Sequence, residues 1–366
     1  MNMQQLRKIA LLSCLSVLAA MAVAIVLSDG APASAGEKKV IGMIVRDIEV
    51  PFEQALINGV KKGCKEFDYT LDAQDGKGDT LQILDHIDTF IMQEIDGFIM
   101  AGATDQKGIV PGIEKLNKAG IPVMALDSCP EGGKIDMFIT FNNVTMSEKA
   151  TKIFIEGIKA RNNGVVPAGV VISISGDLMD MVTGLMTQGF NNVMSKYPQL
   201  KIAPGEGKWN NDDSYLRTAE LLTRYGDEVL GVYVHAPDIM GQGAIRAIET
   251  AGLDPKKFGV SGIHIGPEFM DYIRDGKALA CVAFAGYDYG YLAVKYLDQV
   301  FQGKPLPKIG DVIVEDGALW SPARILDLKD SVPDVQGLYM EVNGPVVPDE
   351  VGPDDPRLWE NMIDQW

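Results

Sequence analysis

The sequence predicts an α/β chain of two doubly wound parallel-sheet lobes, and three observations carry that prediction. Apolar runs without polar alternation, such as Gly97-Phe98-Ile99-Met100-Ala101, mark strands buried on both faces, as parallel sheets require. Between such runs, apolar residues recur at helical spacing, as Ile109, Ile113, Leu116 and Ala119 do before the helix-stopping Gly120. Alternation of this kind builds βαβ units with right-handed crossovers. The chain also has 366 residues, more than one hydrophobic core ordinarily serves.

Taken in order, residues 1–35 read as a secretion signal. Arg7-Lys8 precede an apolar run from Ile9 to Leu27, and Ala33-Ser34-Ala35 form a cleavage site before Gly36. The run is long enough for a membrane anchor, but the cleavage site and the chain that follows favour export. Cys14, in Leu-Leu-Ser-Cys, precedes most of the apolar core, which speaks against lipid attachment.

From Lys39 the chain alternates. Val40–Val45 and Thr70–Ala73 read as strands. Phe52, Leu56, Val60, Gly63 and Phe67 keep one helical face, and Leu84, Ile87, Ile91 and Ile95 another. Gly97–Ala101 and Val123–Leu126 follow as strands, and Asp127-Ser128 then lie just past a strand's carboxyl end, where open α/β sheets bind ligands. Met137–Phe141 leads into a long helix near Met146. The second half repeats the pattern, with strands at Gly169–Ile174, Lys201–Ala203, Leu230–Val234, Phe258–Gly262 and Leu279–Phe284. Helices fall at Met181–Lys196, Asp213–Tyr225, Gly241–Ala251, Glu268–Arg274 and Tyr287–Phe301.

The formal net charge is −17, without a basic cluster, which argues against nucleic acid and anionic membrane surfaces as partners. Beyond the signal the cysteines are Cys64, Cys129 and Cys281, an odd number without C-x-x-C; buried thiols are expected, and neither a disulfide framework nor zinc. There is no G-x-S-x-G, P-loop or H-E-x-x-H, so no cofactor, metal or catalytic residue is expected. Gly241-Gln242-Gly243 opens a helix, but Arg246 takes the third-glycine place of a dinucleotide fingerprint; tight helix–strand packing is expected there.

The stretch Asp96–Ser128, with its Asp-Gly, apolar run, Thr104-Asp105 and Ala-Gly-Ile-Pro-Val leading to Asp127, resembles the periplasmic sugar-binding proteins of the ribose-binding type. The resemblance extends from about Lys39 to about Glu315 and takes in Pro51-Phe52 and the Phe-Asn-Asn-Val crossover at residue 141. It implies the type I periplasmic binding protein fold, with a three-strand hinge. The lobes would be 36–142 plus 285–313 and 143–284 plus 314–330, with crossings near Asn142, Phe284 and Ile313. Residues 331–366, rich in acids and proline, are unlike the family. They are expected either to be disordered or to pack along the lobes through Trp320, Leu338-Tyr339-Met340 and Leu358-Trp359, with a short helix from Arg357.

The implied function is that of an exported, monomeric solute-binding component of an ABC importer. It would take a neutral sugar or polyol and deliver it, from the periplasm, to a permease in the inner membrane. Its candidate site is a ring of strand-end residues: Phe52, Asp127, Ser128, Asp180, Trp209, His235, Asp238, His264 and Phe284. Aromatic faces suit the C–H faces of a sugar and carboxylates suit its hydroxyls. Each has a plainer alternative: a hydrophobic staple for Phe52, a cap or hinge role for Asp127, the cap of a helix from Met240 for Asp238, and core positions for the histidines. Against the ribose binders, Val50 stands for Asn, Ser128 for Arg, His264 for Asp and Phe284 for Gln, and polar Asp180 and Thr183 lie where an arginine is lost near Gly184. Architecture therefore carries over while the pentose does not, and a less cationic cleft disfavours sugar acids and phosphates. The alternatives are a signalling ligand of the autoinducer-2 or chemotaxis kind, or a secreted α/β enzyme using His235 or His264 as base. A lactose-repressor-type regulator, which shares the fold, is disfavoured by the signal and by the missing DNA-binding helices.

Overall fold

The computed structural model describes residues 38–363 except Thr104; the expected signal segment and Thr104 lie outside the described residues. The chain runs β1 (Val40–Val45), α1 (Pro51–Phe67), β2 (Thr70–Asp75), α2 (Thr80–Met92), β3 (Gly97–Ala101), α3 (Val110–Ala119), β4 (Val123–Leu126) and β5 (Gly133–Phe141). Next come α4 (Asn143–Arg161), β6 (Gly169–Ser175), α5 (Met181–Met194), β7 (Leu200–Glu206), α6 (Asn211–Tyr225), β8 (Val229–Val234), α7 (Pro237–Thr250), β9 (Val260–Ile263), α8 (Pro267–Arg274) and β10 (Ala278–Val282). The last elements are α9 (Gly286–Phe301), β11 (Val312–Ile313), β12 (Ala323–Asp327), β13 (Val335–Val342) and β14 (Val346–Val347).

Local chemistry explains the helix starts. Asp79, Asn142 and Asn210 each accept backbone N–H groups as caps of α2, α4 and α6, while proline opens α1, α3, α7 and α8. Every residue of β3 and β4 is buried, so these strands carry the continuous apolar runs of a sheet covered on both faces.

Among the described residues the strands form two sheets. The first has the order β11-β12-β13-β5-β4-β3-β1-β2, parallel from β13 to β2 and closed by antiparallel β12 and β11. The second has the order β14-β10-β9-β8-β6-β7, parallel except for β14. Helix α9 returns to the first sheet by close contact with α1. A Cβ on Gly59 would lie 1.9 Å from the Tyr287 carbonyl, and one on Gly290 2.1 Å from that of Leu56, so the two backbones touch where no side chain intervenes.

The structure corrects several expectations about the carboxyl-terminal part. Residues 331–363 are not a disordered tail: the expected anchors Tyr339, Met340, Leu358 and Trp359 are buried, and the segment goes further than packing along the lobes, since it supplies strands to both sheets. Val335–Val342 is an internal strand between β12 and β5, paired along its whole length with Gly133–Phe141, and β14 completes the second sheet's edge. In place of a helix from Arg357 there is one 3-10 turn, Trp359–Asn361. β12, expected with the second lobe in 314–330, belongs to the first sheet. The third passage between sheets is therefore at residues 343–345, from β13 to β14, and not near Ile313. The close approaches at Gly241 and Gly243 are to Phe269 and Asn211, so they serve helix–helix packing and not helix–strand packing. Cys64, Cys129 and Cys281 are buried free thiols.

Candidate functional site

Between the carboxyl ends of the two sheets lies a narrow cleft, whose free space, solvent at its mouth included, is about 330 Å³. Arg46, Phe52 and Asp127 line it from the first sheet's side; Asp180, Val182, Met186, Trp209, Ala236, Asp238, Ile239 and His264 line it from the second. Each polar member follows a strand: Arg46 β1, Asp127 β4, Asp180 β6, Trp209 β7, Asp238 β8 and His264 β9. Three of them have left-handed backbone, Asp127 with φ 64°, Trp209 with φ 55° and His264 with φ 66°. Such residues store about 1–3 kcal/mol each, strain that clusters where a side chain must be aimed at a ligand.

The aromatic members are fixed by their surroundings. Phe52, at the second position of α1, packs edge-on to Phe284 with ring centroids 4.6 Å apart. That position rules out a staple, which joins the residue before the cap to the fourth helical residue. Phe284 in turn stacks on His264 at 4.4 Å. Trp209 lies against bare backbone, since a Cβ on Gly176 would fall 2.1 Å from its ring, and its indole N–H donates to Asp180 Oδ2 at 3.1 Å. Asp180 Oδ1 accepts from the Val182 amide at 2.9 Å and from Gln106 Nε2 at 3.1 Å. The Gln106 bond spans the cleft, joining the loop after β3 to the start of α5.

A periplasmic binding protein domain model matches residues 41–305. The chain belongs to this family. It is 25% identical to the ribose import binding protein of Bacillus subtilis over 283 residues, 76% of this chain and 87% of the relative. It is 24% identical to the D-apiose import binding protein of Actinobacillus succinogenes over 289 residues, 76% of this chain and 88% of that one. The solved binding protein of the arabinose ABC transporter from Shewanella sp. ANA-3 shares the fold, with TM-score 0.71 at 19% identity over 89% of this chain and 97% of the other.

In this periplasmic binding protein the cleft is built from charge that burial resists. Burial pushes the Asp127 carboxyl up to about 7; Arg46 pulls it down and Asp180 adds to the rise. Burial likewise raises Asp238 to about 8 and Glu53 to about 8, with Arg46 opposing in both. Asp180 is raised by burial too, against its three hydrogen bonds. Burial works against the Arg46 charge, but Glu53, Asp127, Asp180 and Asp238 outweigh it and raise its pKa. His264 is pushed down to about 3 by burial, with the Arg46 charge adding to the fall, so it is neutral at ordinary pH.

Three polar atoms around the cavity have no partner: Asp127 Oδ1, Asp238 Oδ1 and His264 Nε2. Native proteins leave few buried polar groups in that condition, and those that remain call for an explanation. Among the described residues no group of three or more His, Cys, Asp or Glu could hold a metal, and no helix is long and apolar enough to cross a membrane.

Six of the nine residues expected from sequence line the cavity: Phe52, Asp127, Asp180, Trp209, Asp238 and His264. Three do not. Ser128 Oγ accepts from the Ala103 amide at 3.1 Å and ties the ends of β3 and β4 together. His235 continues the β8 ladder, its N–H bonded to Ile174, and strand alternation turns its ring to the same face as Tyr233, away from the cavity. Phe284 is the layer behind His264. Asp238 is not the N-cap: α7 begins at Pro237 after Ala236, so Asp238 is its second residue.

Arg46 and Glu53 were not among the expected residues. Arg46 Nη2 lies 3.6 Å from Glu53 Oε1, whose carboxylate is buried beneath it. No cation was named for the cleft from sequence; Arg46 supplies one, from just after β1 and not from the residue after Asp127. The available signal was the polar Arg46 directly ending the apolar run Val40–Val45.

Proposed function

We propose that this chain is the exported solute-binding component of an ABC importer, holding a neutral sugar or polyol between its lobes. One observation carries the reading: unpartnered polar atoms from strand ends of both lobes converge on a cavity that also presents Phe52 and Trp209. A sugar hydroxyl both donates and accepts, so it can meet a carboxylate, a protonated carboxyl or either tautomer of neutral His264. The relatives named above are import binding proteins for ribose and D-apiose, which supports the sugar class without fixing the sugar.

In this reading Phe52, Asp127, Asp180, Trp209, Asp238 and His264, with Arg46, contact the ligand, while Ser128, His235 and Phe284 hold the walls. The excess of carboxylates over the single arginine disfavours sugar acids and phosphates. The lobes, 38–142 with 285–342 and 143–284 with 346–363, close about the three passages between sheets. Closure shifts an open–closed equilibrium and presents the closed face to a permease in the inner membrane. No reaction is assigned to the cleft.

The test is a thermal-shift screen of the exported protein against D-ribose, D-apiose, L-arabinose, D-galactose, D-allose and myo-inositol. A ligand at a hundred times its dissociation constant stabilises by about 2.7 kcal/mol. No shift with any sugar or polyol, and a shift with an amino acid or nucleoside, would overturn the assignment.

A further inference from the structure

A second cavity, of about 240 Å³, adjoins the first, and Asp127 and Val182 are walls of both. On one side stand Phe138 and Tyr339, stacked with ring centroids 5.3 Å apart; on the other, Met181 and Leu185 of α5. Thr140 and Asn143, beside the first passage between sheets, also line it. Thr140 Oγ1 and Asn143 Oδ1 have no hydrogen-bond partner, although the residues are only 2% and 4% exposed. This space is the larger of the two and the less charged, and it too offers aromatic and apolar faces with a few stranded polar atoms. Its charged wall residues are Asp127 and Asp330, with no cation among the described ones.

We propose that the second cavity is a subsite for a second unit linked to the sugar in the first, making the ligand class a neutral disaccharide or glycoside. The inference rests on the sugar reading above and extends it. Asp127 stands at the junction, and its unpartnered Oδ1 can accept a hydroxyl of either unit. Phe138 and Tyr339 offer a face for the second unit, and Thr140 and Asn143 offer hydroxyl partners at its edge. Carboxylates without a cation exclude an acidic second unit.

Isothermal titration of the full exported chain decides the matter. D-glucose, D-galactose and L-arabinose are compared with cellobiose, maltose, lactose, melibiose and arabinobiose. At least one disaccharide should bind about tenfold or more tighter than its parent monosaccharide. Leu185→Trp, which fills the second cavity from a half-buried position, should abolish that gain and leave monosaccharide affinity unchanged. Thr140→Val, nearly isosteric, should weaken only the disaccharide, by about fivefold; it decides the question if the tryptophan variant does not fold. Monosaccharides binding as tightly as every disaccharide, or a gain that survives both substitutions, would overturn the subsite while leaving the sugar reading standing. No binding by any of these sugars would overturn the subsite; the sugar reading falls only if D-ribose, D-apiose, D-allose and myo-inositol fail as well.

Discussion

Replacing Asp127 by alanine separates ligand binding from folding, because the structure gives the two effects opposite signs. Its carboxyl is buried, Oδ1 has no partner, and burial raises its pKa to about 7. In the ligand-free fold the side chain therefore contributes desolvation cost and little compensating hydrogen bonding. Asp127→Ala should melt at or above the wild-type temperature at pH 8. Toward a ligand the same oxygen is a charge-assisted acceptor, and losing it leaves a hydroxyl unmet in a closed cleft. The cost is about 2–4 kcal/mol, or roughly 30- to 1,000-fold in affinity. Calorimetric titration with whichever sugar best stabilises the wild type, beside a melting curve without sugar, measures both. Affinity within about threefold of wild type, some 0.7 kcal/mol, would refute the placement of the ligand against Asp127. A large loss of stability would refute the electrostatic account.

Other outcomes follow from the same geometry. Trp209→Ala removes a cavity wall and the bond to Asp180, and should weaken sugar binding by about 10- to 100-fold without altering the fold's circular dichroism; unchanged affinity would remove Trp209 from the site. Trp359→Phe deletes the indole N–H bond of 2.9 Å to the Phe284 carbonyl, costing about 1 kcal/mol and lowering the melting temperature by roughly 1–2 °C. A stop codon before Val335 removes an internal strand, so no cooperatively melting protein should be recovered; a normal melt would show that the first sheet tolerates the gap. Because burial raises Asp127, its contribution to stability is present below about pH 4 and is lost as pH rises through about 7. Wild type should therefore fall relative to Asp127→Asn between pH 5 and 8, and a constant difference in melting temperature across that range would count against the raised value.

The parallel core was legible because its physics is local. A strand buried on both faces must be apolar at every position, and each amphipathic helix between strands repeats at 3.6 residues, so β1 to β10 all emerged, although β5 and β7 each run four residues beyond their expected bounds. β13 was not legible for the converse reason. Its apolar residues, Val335, Leu338, Tyr339, Met340 and Val342, are interrupted by Gln336-Gly337, where the pairing with β5 shifts register. They also lie between prolines and acids whose composition suggests a tail. What makes this segment a strand is an open edge of β5, nearly 200 residues away in sequence. Strand-end residues of the site could be read from position alone, but whether a side chain faces the cavity could not. His235 and His264 both follow strands. His235 remains within the ladder, on the Tyr233 face, whereas left-handed backbone at His264 turns its ring into the cleft. Arg46 and Glu53 escaped because their ion pair exists only once β1 and α1 are packed.

The unpartnered atoms also suggest how ligand could drive closure. In the proposed closure, shutting the lobes without a ligand would leave Asp127 Oδ1, Asp238 Oδ1 and His264 Nε2 unpartnered, as they are in this structure, at about 1–3 kcal/mol each, or roughly 3–9 kcal/mol together. The Gln106–Asp180 bond across the cleft returns only about 1.5–3 kcal/mol, so by itself it does not balance that cost. A ligand that satisfies all three atoms supplies differential affinity of the same size as the cost. Inverting a two-state equilibrium from 1:99 to 99:1 requires about 5.5 kcal/mol, which lies inside that range. A purely apolar molecule of the same shape would fill the space between Phe52 and Trp209 and still leave the three atoms stranded. It would occupy the open form without closing it. On the proposed sugar reading, discrimination in this cleft resides in the match between hydroxyls and strand-end acceptors, with the aromatic faces setting only how well a ring fits between them.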